Sequence, residues 1–520
     1  MKMPDLFLFL FILLFHSLFP ATAIPHEMPM FCHEFRVGGG ARPDVASLPN
    51  GNIVICWEGG NGHVLARIFD RNGVPVTDNF QASATPSDEH PEPRIASQTN
   101  GNFLICWEVY KEAENKNSDV YGQFFSQDGS PLGPEFIACS NPVENWSQRE
   151  CDVVALNNGD FIVVWMSYYE DSFQGGIFGQ RFTSSGETVG AQFQLNSFPE
   201  EADERAPNVT SFGESGFGAV WFRGWFDFGP DISHEEIAIQ RFNARNECMW
   251  TEKTVCGEQL GTDRRHAVTA LHDSTFVVCW SNWSGLYQET VWARKYDRDG
   301  IALAAPFRVN TALTAMALEL SIATLNSGDF VICWRHHTPA IEDGEQVTHL
   351  EIHGQIFNEA AEKVGEEFKV NSISGQSLRH NYPSVIAHGD SGFVVVWMEK
   401  WETVYGKVFS TDSINVRVEE EPPLPEDFEL HLNFPNPFHE ITTIPYALPE
   451  RAHWYYVKIR IYNSLGAQIK TLRREYQNGG RYSIEWDGRD SHGTLVANGV
   501  YFCQFDVNGA VKTSKLIFVK

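Results

Sequence analysis

The chain has 520 residues, a formal net charge of −28, and 42% hydrophobic and 20% charged residues. This is the composition of a globular protein, and the length exceeds what one ordinary core holds. The acidic balance argues against nucleic acid as a partner, because few cations are available to neutralise phosphates, and it disfavours anionic membrane surfaces.

Residues 1–23 have the features of a secretory signal peptide. Lys2 precedes an apolar stretch from Leu6 to Phe15, and Ala21-Thr22-Ala23 has the small-x-small pattern of a cleavage site. The stretch is short for a transmembrane helix, and no later segment is long enough to be one. We therefore predict an exported protein, secreted or on the outer cell surface, with no transmembrane segment.

A short motif recurs seven times between residues 51 and 397. Each copy has a turn residue followed by an apolar run that ends in Trp, as in Gly328–Trp334. The other copies are Gly51–Trp57, Gly101–Trp107, Gly159–Trp165, Ser215–Trp221, Ser274–Trp280 and Ser391–Trp397. Successive Trp residues are 50 to 63 residues apart, which is room for four strands. Such a repeat predicts an all-β fold, a seven-bladed β-propeller over residues 24–415, with the repeat Trp residues in the core.

Each repeat divides into four predicted strands. In the sixth repeat the first is Ile322–Leu325, the second ends at the Trp, the third is Ile352–Phe357 and the short fourth is Phe368–Val370. The seventh repeat has no fourth strand after Phe409, whereas Phe35–Val37 resembles a fourth strand placed ahead of the first repeat. We therefore predict that Phe35–Val37 completes the seventh blade and closes the ring non-covalently.

Loops between second and third strands vary in length, and in this strand order they share one face with the blade-to-blade connections. The predicted loops are Glu108–Asp119, Met166–Gly176, Phe222–Glu236, Ser281–Glu289 and Arg335–Glu351. They carry aromatic residues that loops rarely need for a core, so we predict a glycan or protein ligand on this face. The candidate ligand-binding residues are Tyr168, Tyr169, Trp225, Trp283, Tyr287 and Trp401. The alternative for each is a loop folded onto itself.

Arginines precede several predicted first strands, at Arg42, Arg149, Arg205, Arg264, Arg265 and Arg379. First strands line the channel of a propeller, so these side chains could ring its mouth and hold an anion such as a uronic acid. The alternative is pairing with acidic neighbours such as Asp44, Glu150 and Glu204. The acidic composition favours pairing.

Ten Cys follow the predicted cleavage site. Cys56, Cys106, Cys279 and Cys333 directly precede a repeat Trp, where other copies have Val, and we expect them to be small buried hydrophobes. Close spacing and an oxidising compartment predict two disulfides, joining Cys139 to Cys151 and Cys248 to Cys256.

The pattern changes after residue 415. Residues 416–427, which include the acidic, Pro-rich run Glu419–Asp427, form a predicted linker. Segments of alternating polarity from Phe428 onward predict a small β-sandwich. Its motifs include Phe434-Pro435-Asn436-Pro437-Phe438, Val457–Gly466, Trp486-Asp487-Gly488 and Lys515–Lys520.

These motifs, in this order, resemble the C-terminal sorting domain of bacterial type IX secretion substrates and the related immunoglobulin-like domain of flagellar hook-capping proteins. The resemblance implies an immunoglobulin-like fold for 428–520 and export across an outer membrane through contact with export machinery. Three positions depart from the pattern. His439-Glu440 stands in place of the usual Asn-Pro, Ala467 in place of a frequent Gln, and Cys503 where an aromatic residue is common.

Familiar catalytic motifs are missing from the sequence. It has no Walker loop, dinucleotide fingerprint, Gly-x-Ser-x-Gly elbow or His-Glu-x-x-His, and the Asp-box repeats of sialidase-like propellers are absent too. We predict no cofactor and no metal site. His349 and His353 could share a strand face, but solvated histidines are the better interpretation of that pair.

Three functions remain open. The leading hypothesis is an exported binding protein for a glycan or protein, one alternative is a secreted polysaccharide-active enzyme, and another is a structural surface component. Two carboxylates that converge at the channel mouth with shifted pKa values would favour the enzyme. An aromatic platform without such a pair would favour binding.

Overall fold

A computed structural model describes most of the chain after residue 29. The described ranges are 30–111, 117–139, 147–167, 176–197, 202–213, 215–225, 234–257, 266–283, 289–311, 317–342, 345–371, 380–390, 392–400, 402–410, 427–431, 433, 436–439, 441–449, 455–477 and 480–519. All named elements in these ranges are β-strands, and no membrane-spanning helix occurs within them. The chain divides into two compact units, Met1–Ser413 and Ile414–Lys520. The predicted signal peptide and residues 416–426 of the predicted linker lie outside the described residues.

The first unit contains 28 strands. They are β1 Met30–Gly39, β2 Ala41–Ser47, β3 Ile53–Glu58, β4 Val64–Phe69, β5 Phe80–Gln81, β6 Arg94–Ser97, β7 Phe103–Lys111, β8 Asn117–Phe125, β9 Phe136–Ile137, β10 Gln148–Ala155, β11 Phe161–Ser167, β12 Gly176–Phe182, β13 Thr188–Gln194, β14 Ala202–Phe212, β15 Gly216–Trp225, β16 His234–Phe242, β17 Lys253–Gly257, β18 His266–Ala270, β19 Phe276–Trp283, β20 Glu289–Tyr296, β21 Phe307–Arg308, β22 Ala317–Thr324, β23 Phe330–Glu342, β24 Glu345–Phe357, β25 Lys363–Lys369, β26 His380–His388, β27 Gly392–Glu399 and β28 Thr403–Ser410.

These strands form seven antiparallel four-stranded sheets, which are the predicted blades. Blades one to six are β2–β5, β6–β9, β10–β13, β14–β17, β18–β21 and β22–β25, and blade seven is β26–β28 with β1. The first strands of successive blades pack against one another, and β26 packs against β2, so the ring is complete. Each repeat Trp is buried. The seven-bladed propeller predicted from the repeats is confirmed.

Ring closure follows the predicted route. β1 pairs with β28 in antiparallel register, with Phe35 opposite Gly406. Phe35 and Val37 are buried in one cluster with Trp57 of blade one. β1, the first described strand, therefore completes blade seven. Backbone hydrogen bonds between β1 and β28 hold the two ends of the propeller together.

A small residue in the third strand makes room for the outer-strand Phe. A Cβ at Gly406 would lie 2.6 Å from the ring of Phe35, and one at Gly354 would lie equally close to the ring of Phe368. Contacts this short do not occur between real atoms, so the ring requires glycine beneath it. This constraint explains why Gly recurs in the third strands of the sequence.

Two of the predicted loops are largely paired backbone. In the segment Arg335–Glu351, β23 and β24 continue as a hairpin to Glu342 opposite Glu345, and β7 and β8 pair as far as Lys111 opposite Asn117. The physical reason in blade six is a continued run of strand-forming residues, including Ile341 and Val347. The loop prediction was wrong for these segments.

The two predictions made for the cysteines have different outcomes. Cys56, Cys106, Cys279 and Cys333 are fully buried, as predicted. Neither predicted disulfide is formed among the described residues.

The strand register gives the reason for the second pair. Cys248 bridges to Phe242 and Cys256 pairs with Ile237, so the two cysteines lie five residues apart along β16. That separation is roughly 16 Å, whereas a disulfide needs Cα atoms within about 7 Å. Cys139 and Cys151 pack in one apolar cluster, and Cys139 Sγ lies 3.9 Å from Asp119 Oδ1.

The second unit is the predicted β-sandwich. One sheet has the order β29-β30-β33 and the other β32-β31-β34-β35. The strands are β29 Glu429–Leu430, β30 Thr442–Leu448, β31 Tyr455–Asn463, β32 Gln468–Gln477, β33 Gly480–Trp486, β34 Gly499–Val507 and β35 Ala510–Phe518. Trp486, Phe438 and Phe518 pack together in its core, which explains three of the sequence motifs.

Loss of β1 is predicted to open the ring. A chain that begins at Arg42 lacks the ladder partner of β28, exposes two sheet edges and loses the burial of Phe35. We expect it to aggregate or to melt well below a chain that begins at Met30. The single change Phe35→Ala should cost about 3–5 kcal/mol of unfolding free energy, whereas Val76→Ala, at an exposed site, should cost little. Equal melting of the two truncated chains would contradict the closure mechanism.

Candidate functional site

A ring of strained residues surrounds one end of the propeller channel. Each lies where the chain enters a blade, and each is a non-glycine residue with φ between 42° and 54°. They are Arg42, Glu92, Glu150, Ala206, Glu319 and Tyr382, in blades one, two, three, four, six and seven. Such left-handed backbone is costly outside glycine, and it concentrates at functional sites. We call this end of the channel the rim.

Carboxylates of the preceding blade hold several of these residues in place. The backbone N–H of Glu150 donates to Glu108 Oε1 at 2.6 Å, and that of Ala206 donates to Glu150 Oε2 at 2.7 Å. On the other side of the ring, Tyr382 N–H donates to Glu319 Oε2 at 2.6 Å. The strained backbone is thus stabilised by bonds that run from blade to blade around the rim.

Arg42 joins blades one, two and seven. Its guanidinium lies 2.8 Å from Glu58 Oε2 and 3.2 Å from Glu92 Oε1, and it stands 5.2 Å from the centre of the Tyr382 ring. His90 Nδ1 lies 2.6 Å from the other oxygen of Glu58. The result is an acidic cluster of Glu58, Glu92, Glu108 and Glu150 that spans three adjacent blades.

Glu108 is the unusual member of this cluster. Glu108 is only 8% exposed. Burial, and then the charge of Glu92, raise the pKa of Glu108 to about 8. The side chain of Glu92, by contrast, is 35% exposed. One carboxyl group that holds a proton near neutral pH therefore stands in the same cluster as a more exposed carboxylate.

A second tier of charge lies further along the first strands. Asp44 Oδ2 accepts from Ile95 N–H at 2.9 Å, and Asp152 Oδ2 accepts from Val209 N–H at 2.8 Å. Burial raises the pKa of Asp152 to about 6, although the nearby Arg94 charge opposes the shift. These hydrogen bonds link neighbouring blades in the same way as those at the rim, but farther along the first strands.

The predicted aromatic site is not tested by the structure. Trp225 and Trp283 end β15 and β19 at the rim, where their backbones pair with neighbouring strands, and their side chains lie outside the description. Tyr168, Tyr169, Tyr287 and Trp401 lie outside the described residues altogether. Binding by these six residues stays a prediction.

The described rim arginines are paired with acids. Arg149 lies 3.3 Å from Glu89, and Arg205 lies 2.7 Å from Asp203. These partners, like those of Arg42, differ from the ones expected from the sequence. Glu89 and Glu92 lie in the connection between β5 and β6, and Asp203 lies two residues before Arg205 in β14. Arg264, Arg265 and Arg379 lie outside the described residues.

Sequence analysis missed the acidic cluster, although a signal was present. In the first two repeats an acid directly follows the Trp, at Glu58 and Glu108. The position after a repeat Trp is at the rim end of the second strand, so an acid there had to face the channel mouth or be buried beside it.

The opposite end of the channel has a different character. A cavity of about 760 Å³ lies there, lined among others by Asn157, Ser211, His272 and Thr324. No carboxylate belongs to the described residues that line it. Its turns are short, so the acid–base chemistry available in the described part of the propeller concentrates at the rim.

Comparison with known proteins identifies one domain. Residues 440–510 match the family described as FlgD Ig-like domain, in agreement with the sandwich of the second unit. No curated protein matches the chain.

Solved structures resemble the chain at low identity. A protein of unknown function from Dyadobacter fermentans has 11% identity and a TM-score of 0.42, covering 62% of this chain and 94% of its own. The α-L-arabinanase of Penicillium chrysogenum has 12% identity and a TM-score of 0.40, covering 59% and 94%. The α-L-arabinofuranosidase of Fusarium graminearum has 8% identity and a TM-score of 0.41, covering 74% and 98%. At these scores the similarities assign neither an activity nor a substrate to this chain.

The raised pKa of Glu108 predicts a pH-dependent stability. Between about pH 4.5 and pH 8 the unfolded glutamate ionises while the folded one keeps its proton, so the free energy of unfolding falls as the pH rises. The variant Glu108→Gln should lack this slope. We expect the wild type to lose roughly 2–4 kcal/mol relative to the variant between pH 5 and pH 8, measured by urea unfolding. Glu359→Gln, at an exposed turn, should keep the wild-type slope, and parallel curves for Glu108→Gln would refute the shift.

Proposed function

We propose that the propeller is an exported enzyme that hydrolyses glycosidic bonds at the rim, with Glu108 as general acid and Glu92 as the partner carboxylate. The observation that carries this proposal is the buried Glu108, whose pKa burial raises to about 8, in one cluster with the more exposed Glu92. Glycoside hydrolysis needs two carboxyl groups, one that gives a proton to the leaving oxygen and one that acts as base or nucleophile.

Each group has a support that suits its role. The N–H of Glu150 fixes one oxygen of Glu108, which leaves the other oxygen to carry the proton for transfer to a glycosidic oxygen. Arg42 contacts Glu92 and Glu58 and holds the cluster together across blades one and two. The strained backbone at Glu92 is of the kind that persists where geometry serves a function.

The charges of the rim favour a neutral glycan over an acidic one. Arg42, Arg149 and Arg205 are each engaged by a carboxylate, and the chain carries a net charge of −28. A polyuronate would meet this acidic cluster with repulsion. We therefore favour a neutral polysaccharide and set aside the uronic-acid hypothesis.

A glycan-binding protein without catalysis is the second candidate. The observation that favours it is the placement of Trp225 and Trp283 at the rim ends of β15 and β19, since aromatic residues can stack on sugar rings. Both candidates use the same face, and they differ in whether the bound sugar is cleaved.

Substitution of Glu108 separates the two candidates. A glycan array identifies the polysaccharides that bind residues 24–415, and the bound ones are then assayed for release of reducing ends. We expect Glu108→Gln to bind as the wild type does and to lose a factor of about 10²–10⁴ in rate. The wild-type rate should fall above pH 8, where the acid loses its proton. Glu359→Gln serves as control. Binding without any release by the wild type would favour the second candidate.

The second unit is proposed to direct export. The match to the FlgD Ig-like domain supports the fold on which the resemblance to sorting domains rests, and contact with type IX export machinery through residues 428–520 extends that resemblance. In a host with this machinery, a chain that lacks 414–520 should stay in the periplasm while the full chain reaches the surface or the medium. Equal export of both chains, measured by fractionation and immunoblot, would refute the sorting role.

A further inference from the structure

Blade six carries a group of side chains that neither the rim nor the proposed hydrolysis uses. His336 lies on β23, His353 on β24 and Glu367 on β25, and each offers a ligand atom within 4.8 Å of the others. The register explains the grouping. His336 is opposite Glu351, and His353 is opposite Lys369, so residues from three strands project from one face of the sheet.

His336 is buried, and its Nδ1 has no hydrogen-bond partner among the described residues. The residue is 5% exposed, and its ring stacks on that of His353 with 4.2 Å between centres. A buried polar atom without a partner is costly, and in a native structure it calls for an explanation such as an ion.

His353 and Glu367 already face each other with suitable atoms. His353 Nδ1 lies 2.9 Å from Glu367 Oε1, which is close enough for both atoms to reach one ion after a small shift. The second ring nitrogen, Nε2, lies 3.4 Å from Glu351 Oε2. A metal-bound histidine commonly donates its other N–H to a carboxylate in this way, which fixes the ring and its tautomer.

Groups around the cluster hold the carboxylates in position. Thr311, which follows blade five, donates to Glu367 Oε2 from its backbone N–H at 2.8 Å and from Oγ1 at 2.7 Å. Lys369 contacts Glu351. Glu367 is thus oriented by the neighbouring blade while its other oxygen stays toward the histidines.

We propose that His336, His353 and Glu367 bind a divalent transition-metal ion, with Zn²⁺ as the best match, and that Glu351 orients His353. Two imidazoles and one carboxylate form a ligand set typical of zinc, and three protein ligands leave a fourth position for water or a partner group. Ligands of a tetrahedral zinc lie about 3.3 Å apart. His353 Nδ1 and Glu367 Oε1, at 2.9 Å, would therefore move slightly apart, and the remaining pairs, which lie within 4.8 Å, would close in by at most about 1.5 Å. The ion would be bound by one residue each from β23, β24 and β25, and it would thereby link β23 to β25 in blade six.

Zinc binding by the full chain tests the site. After treatment with a chelator, the wild type should take up one equivalent of Zn²⁺ by calorimetry, and Co²⁺ should give the visible absorption of a site with nitrogen and oxygen ligands. His336→Phe keeps a ring of similar size over His353 and removes one ligand, and Glu367→Gln removes another. We expect each to weaken Zn²⁺ binding at least tenfold.

Controls separate lost binding from lost folding. His272→Ala, at an exposed turn, should bind Zn²⁺ as the wild type does, and melting in chelator should show that both ligand variants are folded. Zn²⁺ should raise the melting temperature of the wild type and not that of His336→Phe. Absence of a one-to-one site in the wild type, or unchanged Zn²⁺ affinity in folded His336→Phe and Glu367→Gln, would overturn the proposal.

Discussion

The pairing of β1 with β28 is the contact on which the propeller depends. Six blades are each built from one continuous segment, but the seventh needs a strand from the other end of the unit. Without it the ring has a seam with unpaired backbone on both sides. The Phe35 ring seated on Gly406 sets the register of this seam, in the same way that Phe368 on Gly354 sets that of blade six. The closing blade thus uses the packing rule of a continuous one.

Closure also explains why acids gather at the rim. In blades one, three, four, six and seven the first strand carries a bulge, and the bulge places one residue in left-handed backbone. The N–H of such a residue needs a hydrogen-bond acceptor. Carboxylates from the preceding blade satisfy it at Glu150, Ala206 and Tyr382. Buried acids are therefore part of the architecture. Several of these acids meet in blades one to three, where burial and mutual repulsion raise the pKa of Glu108. A residue with a structural role thus becomes capable of proton transfer.

The parts of the structure that the sequence predicts are those with a local period. The repeat Trp recurs in every blade, and a turn Gly and an outer-strand Phe like Phe35 recur in most blades, so their role is visible without coordinates. Glu92 and Glu108 have no such period, because their significance comes from meeting in the fold, Glu92 in the connection before β6 and Glu108 in β7. His336 and Glu367 come from strands at the two sides of β24, and His353 was paired in the sequence with His349, whereas the fold pairs it with residues much farther away in the chain. The bulge that turns Arg42 toward Glu58 and Glu92 shifts the register by one residue, which spacing alone does not show.

The buried acids of the rim and the cluster of blade six differ in how their charge is balanced. At Glu108 burial, and then the charge of Glu92, raise the pKa to about 8, so the group can donate a proton near neutral pH. At Glu367 burial is outweighed by hydrogen bonds from His353 and Thr311, and at Glu351 hydrogen bonds from His353 and Lys369 outweigh burial, so the pKa of each carboxyl group is lowered to about 2. The first environment suits an acid catalyst and the second suits a cation. Both arise from residues at the rim ends of strands, where each blade can vary without disturbing the Trp and Phe packing beneath.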